Sequence, residues 1–310
     1  MRIPKALKKG DTIGLIAASS PTPPENLQKA IDAIENLGFS VVVGETCSSR
    51  HGYLAGNDEL RAHEVNEMFG NPNIDGIFCI RDGYGAHRIT PLLDLELIKA
   101  NPKVFAGYSD VTALHIIFNQ LCDFVTYHSP MPSTEFIKPG MDEYTWNSFI
   151  TQVMNTERKD YDLENAEGTE ATTLVPGEAT GILVGGNLTL VTASLGTPFE
   201  IDTKGKILFL EDIDEYERSV DRMLTQLKLA GKLDDAAGIL LGAWTNCGAP
   251  NPEKPEDSLR LQTIFEEILV PVGKPVLMDI TCGHVLPTLT LPLGKTITFN
   301  ADTKKITVIE

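Results

Sequence analysis

The sequence is poor in positive charge, has no paired cysteines and no long apolar run, and lacks the glycine signatures of nucleotide binding. Lys and Arg number 26 against 43 Asp and Glu, a formal charge of −17 at pH 7. Such a surface repels phosphate backbones and anionic headgroups, which excludes nucleic acid and acidic membranes as expected partners. The five cysteines are an odd, scattered set with no C-x-x-C pair, so reduced thiols are expected rather than a zinc site or a disulfide framework. No stretch approaches the ~18 apolar residues of a membrane span, and the basic N-terminus is broken by Pro4 and Gly10 before any apolar core forms. A cytoplasmic address is expected. No G-x-G-x-x-G follows the first apolar run and no G-x-x-x-x-G-K-[ST] occurs, so the usual backbone cradles for dinucleotides and nucleoside triphosphates are missing.

What is present is an alternation of apolar strand-like runs with amphipathic helical ones, in a chain of 310 residues, long enough for two domains. Thr12 to Ala17 reads as a strand, and Leu27, Ile31, Ile34 and Leu37 recur at helical spacing before Gly38. Further strands are read at SVVVGE, GIFCI, Val104 to Ala106 and FVTYH, with helices between them. This predicts a Rossmann-like, parallel-sheet N-terminal domain over 1–150. A polar, aperiodic connector is expected over 151–178, and a smaller mixed α/β domain over 179–310, with strands at GILVGGNL, KILFLED and AAGILLGAW.

Four polar clusters stand at strand exits, the end of an open α/β sheet where ligands bind. In VFAGYSDVTALH, Ser109 sits where a strand turns at once into a helix, a placement that presents a nucleophilic hydroxyl and equally that of an ordinary helix cap. In GIFCIRDGYGAHR, Gly83 and Gly85 form either an amide-rich turn able to hold an oxyanion or a plain turn. Glu211 and Asp212 end an apolar strand, as an orienting acid or as solvated loop charge. His284 lies in a short loop as a base or as a structural histidine, while His63 and His115 fall inside helices, where packing is the default. Cys282 is a rival nucleophile, discounted because two residues from His284 it cannot easily make the in-line contact required. Taken together, the four supply a nucleophile, amide donors, an acid and a base.

At these residues the chain resembles the LD-carboxypeptidase family of serine peptidases, which includes muramoyltetrapeptide carboxypeptidases and microcin C immunity-type hydrolases. The blocks GDTIGLIAASSP, RDGYGAHR, FAGYSDVTALH, GGNLTLV, FLEDIDEYERSVDRMLTQL and CGHVLPTLTLPLG occur in the family's order. The resemblance implies Ser109 as nucleophile, His284 as general base and Glu211 as the acid that orients it, with the amides of Gly83 and Asp110 as the oxyanion hole. It implies no metal and no cofactor, a small murein tetrapeptide as substrate, and a homodimer. Arg81 is a candidate for the substrate carboxylate, or else pairs with a neighbouring acid. Asp82 and Ser129 depart from the family's pattern, which has glycine at both positions. Two other functions stay open: cleavage of an aminoacyl nucleotide amide, for which Trp146 or Trp244 would be the aromatic platform, and binding of peptidoglycan fragments without catalysis.

Overall fold

A computed structural model describes residues 1–139 and 141–309. The chain divides into two α/β units, Met1–Arg158 with Thr290–Gly294, and Lys159–Leu289 with Lys295–Glu310. Fourteen strands are described, in two sheets of six and eight.

The first unit begins with β1 (Thr12–Ile16), β2 (Ser40–Val43), β3 (Gly76–Cys79), β4 (Val104–Gly107) and β5 (Thr126–His128). All five run parallel in the spatial order β2-β1-β3-β4-β5. The central strands β3 and β4 are buried at every position, as parallel strands covered by helices on both faces must be. The edge strand β2 exposes Val42 and Val43. Because the connections reverse direction between β1 and β3, a crevice opens beyond the carboxyl ends of these two strands. The segments entering it are Ala17 to Ser20 and Ile80 to Gly83.

Helix Pro24–Asn36 packs Ala30 and Ile34 inward, and helix Thr112–Gln120 is buried on all sides from Thr112 to Asn119. The sequence reading begins a polar, aperiodic connector at 151, but helix Glu143–Met154 runs across that point. Asp142 caps it by accepting from the Thr145 N–H at 2.7 Å. Phe149 and Val153, four apart on one face, enter the same core as Leu15, Phe78 and Tyr127. Trp146, Phe149, Ile150, Val153 and Met154 recur at helical spacing along it, and Trp146, Ile150 and Met154 pack against the same core. The first unit accordingly runs to Arg158 rather than to 150.

A second departure lies near the C-terminus. Residues 290–294, read from the sequence as part of the second domain, belong to the first unit, where β12 (Leu291–Leu293) adds to β5 antiparallel, pairing Leu291 with His128 and Leu293 with Thr126. Pro292 stands opposite Tyr127 on this edge strand, a position where a missing N–H is tolerated.

The second unit has β6 (Tyr161–Asp162), β7 (Thr172–Val175), β8 (Glu178–Asn187), β9 (Ile207–Ile213), β10 (Gly238–Thr245), β11 (Val276–Met278), β13 (Thr296–Asn300) and β14 (Lys305–Val308). Its order is β6-β14-β13-β8-β9-β10-β11-β7, with β8 to β11 parallel and the flanking strands antiparallel. In helix Glu217–Leu229 the apolar stripe Val220, Met223, Leu224 and Leu227 is buried as its spacing predicts. The expected α/β class and the parallel N-terminal sheet are both present. Among the described residues no helix is long and apolar enough to cross a membrane.

Candidate active site

Ser109 leaves β4 with φ +63°, in the left-handed region that a non-glycine residue enters only at a cost on the order of 1 kcal/mol. A short 3-10 turn, Ser109–Val111, then runs straight into helix Thr112–Gln120. An ordinary cap has extended backbone and a side chain bonded to a helix amide; here that position is Tyr108, with no side-chain cap bond. Strain of this kind is what a nucleophile elbow requires.

The elbow is held from beneath. The Gly107 carbonyl accepts from His115 Nε2 at 2.8 Å and from the Ser129 N–H at 3.1 Å. His115 Nδ1 lies 2.8 Å from Thr126 Oγ1, to which Asn119 Nδ2 donates at 3.1 Å. The threonine hydroxyl therefore donates to Nδ1, which fixes the neutral Nε2–H tautomer. Complete burial pushes the His115 imidazolium down to about 4. The packing expected of His115 is present, whereas His63, also expected to pack, is exposed and reaches Glu67 at 3.9 Å.

Gly83 has φ +128°, and a Cβ there would overlap the Ser20 side chain, so only glycine fits. Its N–H has no hydrogen-bond partner among the described residues. The adjoining Tyr84 N–H donates to Ser20 Oγ at 3.1 Å. Arg81 sits beside this turn with Nη2 3.7 Å from Asp82 Oδ1, Nε donating to the Asp82 carbonyl at 3.2 Å and Nη1 to the Pro21 carbonyl at 3.4 Å.

In the second unit Glu211, near the end of β9, is fully buried, and its Oε2 lies 2.7 Å from His284 Nδ1. Its Oε1 is buried with no hydrogen-bond partner among the described residues. Negative charge so poorly solvated is best compensated by a proton on the imidazole, which makes Glu211 a strong stabiliser of imidazolium. A carboxylate on Nδ1 also leaves Nε2 with its lone pair, as a general base needs.

Gly283 permits this contact. It has φ +114°, and a Cβ would stand 2.6 Å from Glu211 Oε2. The His284 loop is pinned to β10 by Ala243 N–H donating to the Cys282 carbonyl at 2.9 Å and by Thr245 Oγ1 donating to the His284 carbonyl at 2.6 Å. Asp212 faces away from this pair and accepts from Asn187 Nδ2 at 2.8 Å and from the Thr189 N–H and hydroxyl at 3.0 and 2.9 Å. Burial, and then the Glu211 charge, push it up to about 6.

Cys282 Sγ donates to the Leu289 carbonyl at 3.1 Å, and burial beside Glu211 raises its thiol well above the ordinary value, which removes the rival nucleophile. Trp146 packs on Phe136 and Trp244 on Phe265, with ring centres 4.7 and 5.0 Å apart.

Ser109, Gly83 and Asp110 thus belong to the first unit, and Glu211 and His284 to the second. The structure brings Glu211 and His284 into direct contact. Sequence reasoning missed the elbow's support by His115 and the seat that Ser20 gives Gly83; the paired serines of GLIAASSP, at the exit of β1, were the only signal for the latter.

The fold, with polar groups at the carboxyl ends of its parallel strands, is that of a two-domain α/β enzyme. Residues 13–129 match the LD-carboxypeptidase N-terminal domain and residues 180–299 the LD-carboxypeptidase C-terminal domain, so the chain belongs to the LD-carboxypeptidase family. It is 44% identical over 307 residues to a probable murein peptide carboxypeptidase of Bacillus subtilis, covering 99% of this chain and 94% of the relative. It is 29% identical over 330 residues to the microcin C7 self-immunity protein MccF of Escherichia coli, covering 98% and 94%. Among solved structures, MccF in an inactive-mutant apo state superposes with a TM-score of 0.91 at 28% identity, covering 99% of this chain and 98% of that one. Muramoyltetrapeptide carboxypeptidase from Oxalobacter formigenes superposes at 0.83 and 26% identity, covering 96% and 99%.

Proposed function

We propose that this LD-carboxypeptidase releases terminal D-alanine from murein tetrapeptides through an acyl-enzyme on Ser109. The reading rests above all on the buried Glu211 carboxylate 2.7 Å from His284 Nδ1, the arrangement that orients a histidine as general base. Full-length similarity to a probable murein peptide carboxypeptidase supports the substrate class.

In this reading Ser109 Oγ attacks the carbonyl of the L-centre joined to D-alanine, while His284 Nε2 takes the hydroxyl proton. The oxyanion is met by the N–H groups of Gly83 and Asp110. His284 then returns the proton to the D-alanine amine as the bond breaks, and water resolves the acyl-enzyme by the same route. Glu211 keeps the proton on Nδ1 and stabilises the imidazolium. The same reading has the enzyme act as a cytoplasmic homodimer on recycled wall fragments.

Ser109→Ala is expected to lower kcat for D-alanine release on the order of 10⁶-fold with the fold intact. Release near the parent rate from the purified variant would refute the assignment. A second reading, hydrolysis of an aminoacyl nucleotide amide by the same residues, is favoured by the TM-score of 0.91 to MccF. Assaying tetrapeptide and an aminoacyl sulfamoyl adenosine side by side ranks the two by kcat/KM.

A further inference from the structure

The residue after the nucleophile carries a buried carboxylate that the mechanism above does not use. Only the Asp110 N–H has a role there, yet the residue is 2% exposed. Asp110 Oδ2 accepts from Ser19 Oγ at 2.5 Å and from the Ala86 N–H at 2.8 Å. Ala86 is the first residue of the short helix Ala86–Ile89 that follows the Gly83–Gly85 turn, and Ser19 follows β1. One carboxylate oxygen thus ties together three strand exits, those of β1, β3 and β4.

Arg61, fully buried, makes a parallel tie. Its Nη1 donates to the Ala18 carbonyl at 2.5 Å and to the Gly85 carbonyl at 2.8 Å, and its Nη2 to Asp58 Oδ1 at 2.5 Å. The Gly85 carbonyl is thus held by Arg61, the Tyr84 N–H by Ser20 Oγ at 3.1 Å, and the Ala86 N–H by Asp110. Of these anchors only Asp110 also belongs to the elbow. Asp110 therefore links the Gly83–Gly85 turn directly to the Ser109 segment, beyond the pairing of β3 with β4.

We propose that the Asp110 side chain is a positioning residue that fixes the Gly83–Gly85 turn relative to Ser109, so that two amides from different strands converge on one oxyanion. The proposal rests on the reading of Ser109 and Gly83 given above. It explains why an acid follows the nucleophile directly: the left-handed φ of Ser109 turns the next side chain back under the turn, where it meets the first free amide of the neighbouring helix. Loss of the tie leaves substrate binding in place and degrades only the interaction made as negative charge develops.

The test compares Asp110→Ala, Asp110→Asn and Ser19→Ala by steady-state kinetics and by the second-order rate of labelling with a fluorophosphonate, whose phosphoryl adduct uses the same amides. Asp110→Ala is expected to lose about 10²- to 10³-fold in kcat and in labelling rate, with KM within about threefold, the signature of a misplaced oxyanion donor. Asp110→Asn keeps a carbonyl acceptor and is expected to recover at least about tenfold of that loss. Ser19→Ala removes the hydroxyl donor to Asp110 and is expected to cost about tenfold in kcat alone, which keeps the test open if Asp110→Ala does not fold. Parent-like kcat and labelling in Asp110→Ala, or a loss confined to KM, overturns the proposal. Ser109→Ala labelled as fast as the parent would instead refute the reading on which it rests, whatever Asp110 does.

Discussion

Replacing Gly283 by alanine adds one methyl group at the point where the acid and base of the second unit meet. The added Cβ would lie 2.6 Å from Glu211 Oε2, against an ordinary contact of 3.4 Å or more, so something must move by about 0.8 Å. The backbone resists, because the flanking residues are held to β10 through the Cys282 and His284 carbonyls and φ +114° already costs an L-residue on the order of 1–3 kcal/mol. The carboxylate is the softer partner. If it retreats by that amount, the 2.7 Å contact to His284 Nδ1 lengthens to about 3.5 Å, beyond hydrogen-bond range. The imidazole then loses its preferred tautomer and its counter-charge, and the expected loss approaches that for a misdirected triad acid, about 10³- to 10⁴-fold in kcat. That is roughly 4 to 5.5 kcal/mol of transition-state stabilisation. The measurement is D-alanine release by purified Gly283→Ala, with circular dichroism and thermal unfolding as controls. A folded variant with kcat within threefold of the parent would show that the Glu211–His284 contact does not carry the base's function.

Two further outcomes follow from burial. His115 is held neutral down to about pH 4, whereas the unfolded chain protonates it near 6.5, so unfolding takes up a proton between these values. Stability is therefore full above about pH 6.5 and falls as the pH drops toward 4, by about 3 kcal/mol from this group. Urea unfolding at pH 7 and pH 4.5 should show that share of the pH dependence missing from His115→Gln; an identical pH slope in both proteins would refute it. For the cysteines, burial pushes Cys122 up to about 11 and Cys247 up to about 12, and also raises Cys47, Cys79 and Cys282 well above the ordinary thiol value. Iodoacetamide at pH 7.5 should leave activity intact over a time that fully alkylates glutathione, and inactivation tracking modification of Cys282 would contradict the structure.

The sequence carried the class of fold and the strand exits because both are local: short apolar runs announce β3 and β4, and glycine or serine within a few residues of their ends, Gly83 after β3 and Ser109 after β4, announces the turn. Helix Glu143–Met154 went unread although Trp146, Phe149, Ile150, Val153 and Met154 carry helical spacing, because two of its four buried residues, Thr145 and Gln152, are polar and the acidic run after it drew the boundary to 150. β12 was hidden for another reason. Three residues with a central proline carry almost no strand signal, and only the open edge at β5 gives them a place. In the site, Glu211 and His284 were legible as residue types at strand ends, but 73 positions separate them, and only the tertiary fold shows that Gly283 is vacant of a side chain because the carboxylate fills that space. Asp110 was legible as an amide and not as a side chain, because its partners Ser19 and Ala86 come from two other strand exits.

The return of Leu291–Leu293 to the first sheet has a bearing on how the molecule is made. During synthesis β5 has no neighbour on one side until Leu291–Leu293 has emerged, more than 160 residues later, so in the interval the N-terminal unit presents Thr126, Tyr127 and His128 as an uncapped rim open to wrong pairing. Nor can one cut liberate either half intact: a fragment ending at Arg158 lacks its sixth strand, and a fragment beginning at Lys159 carries that strand with no sheet to receive it.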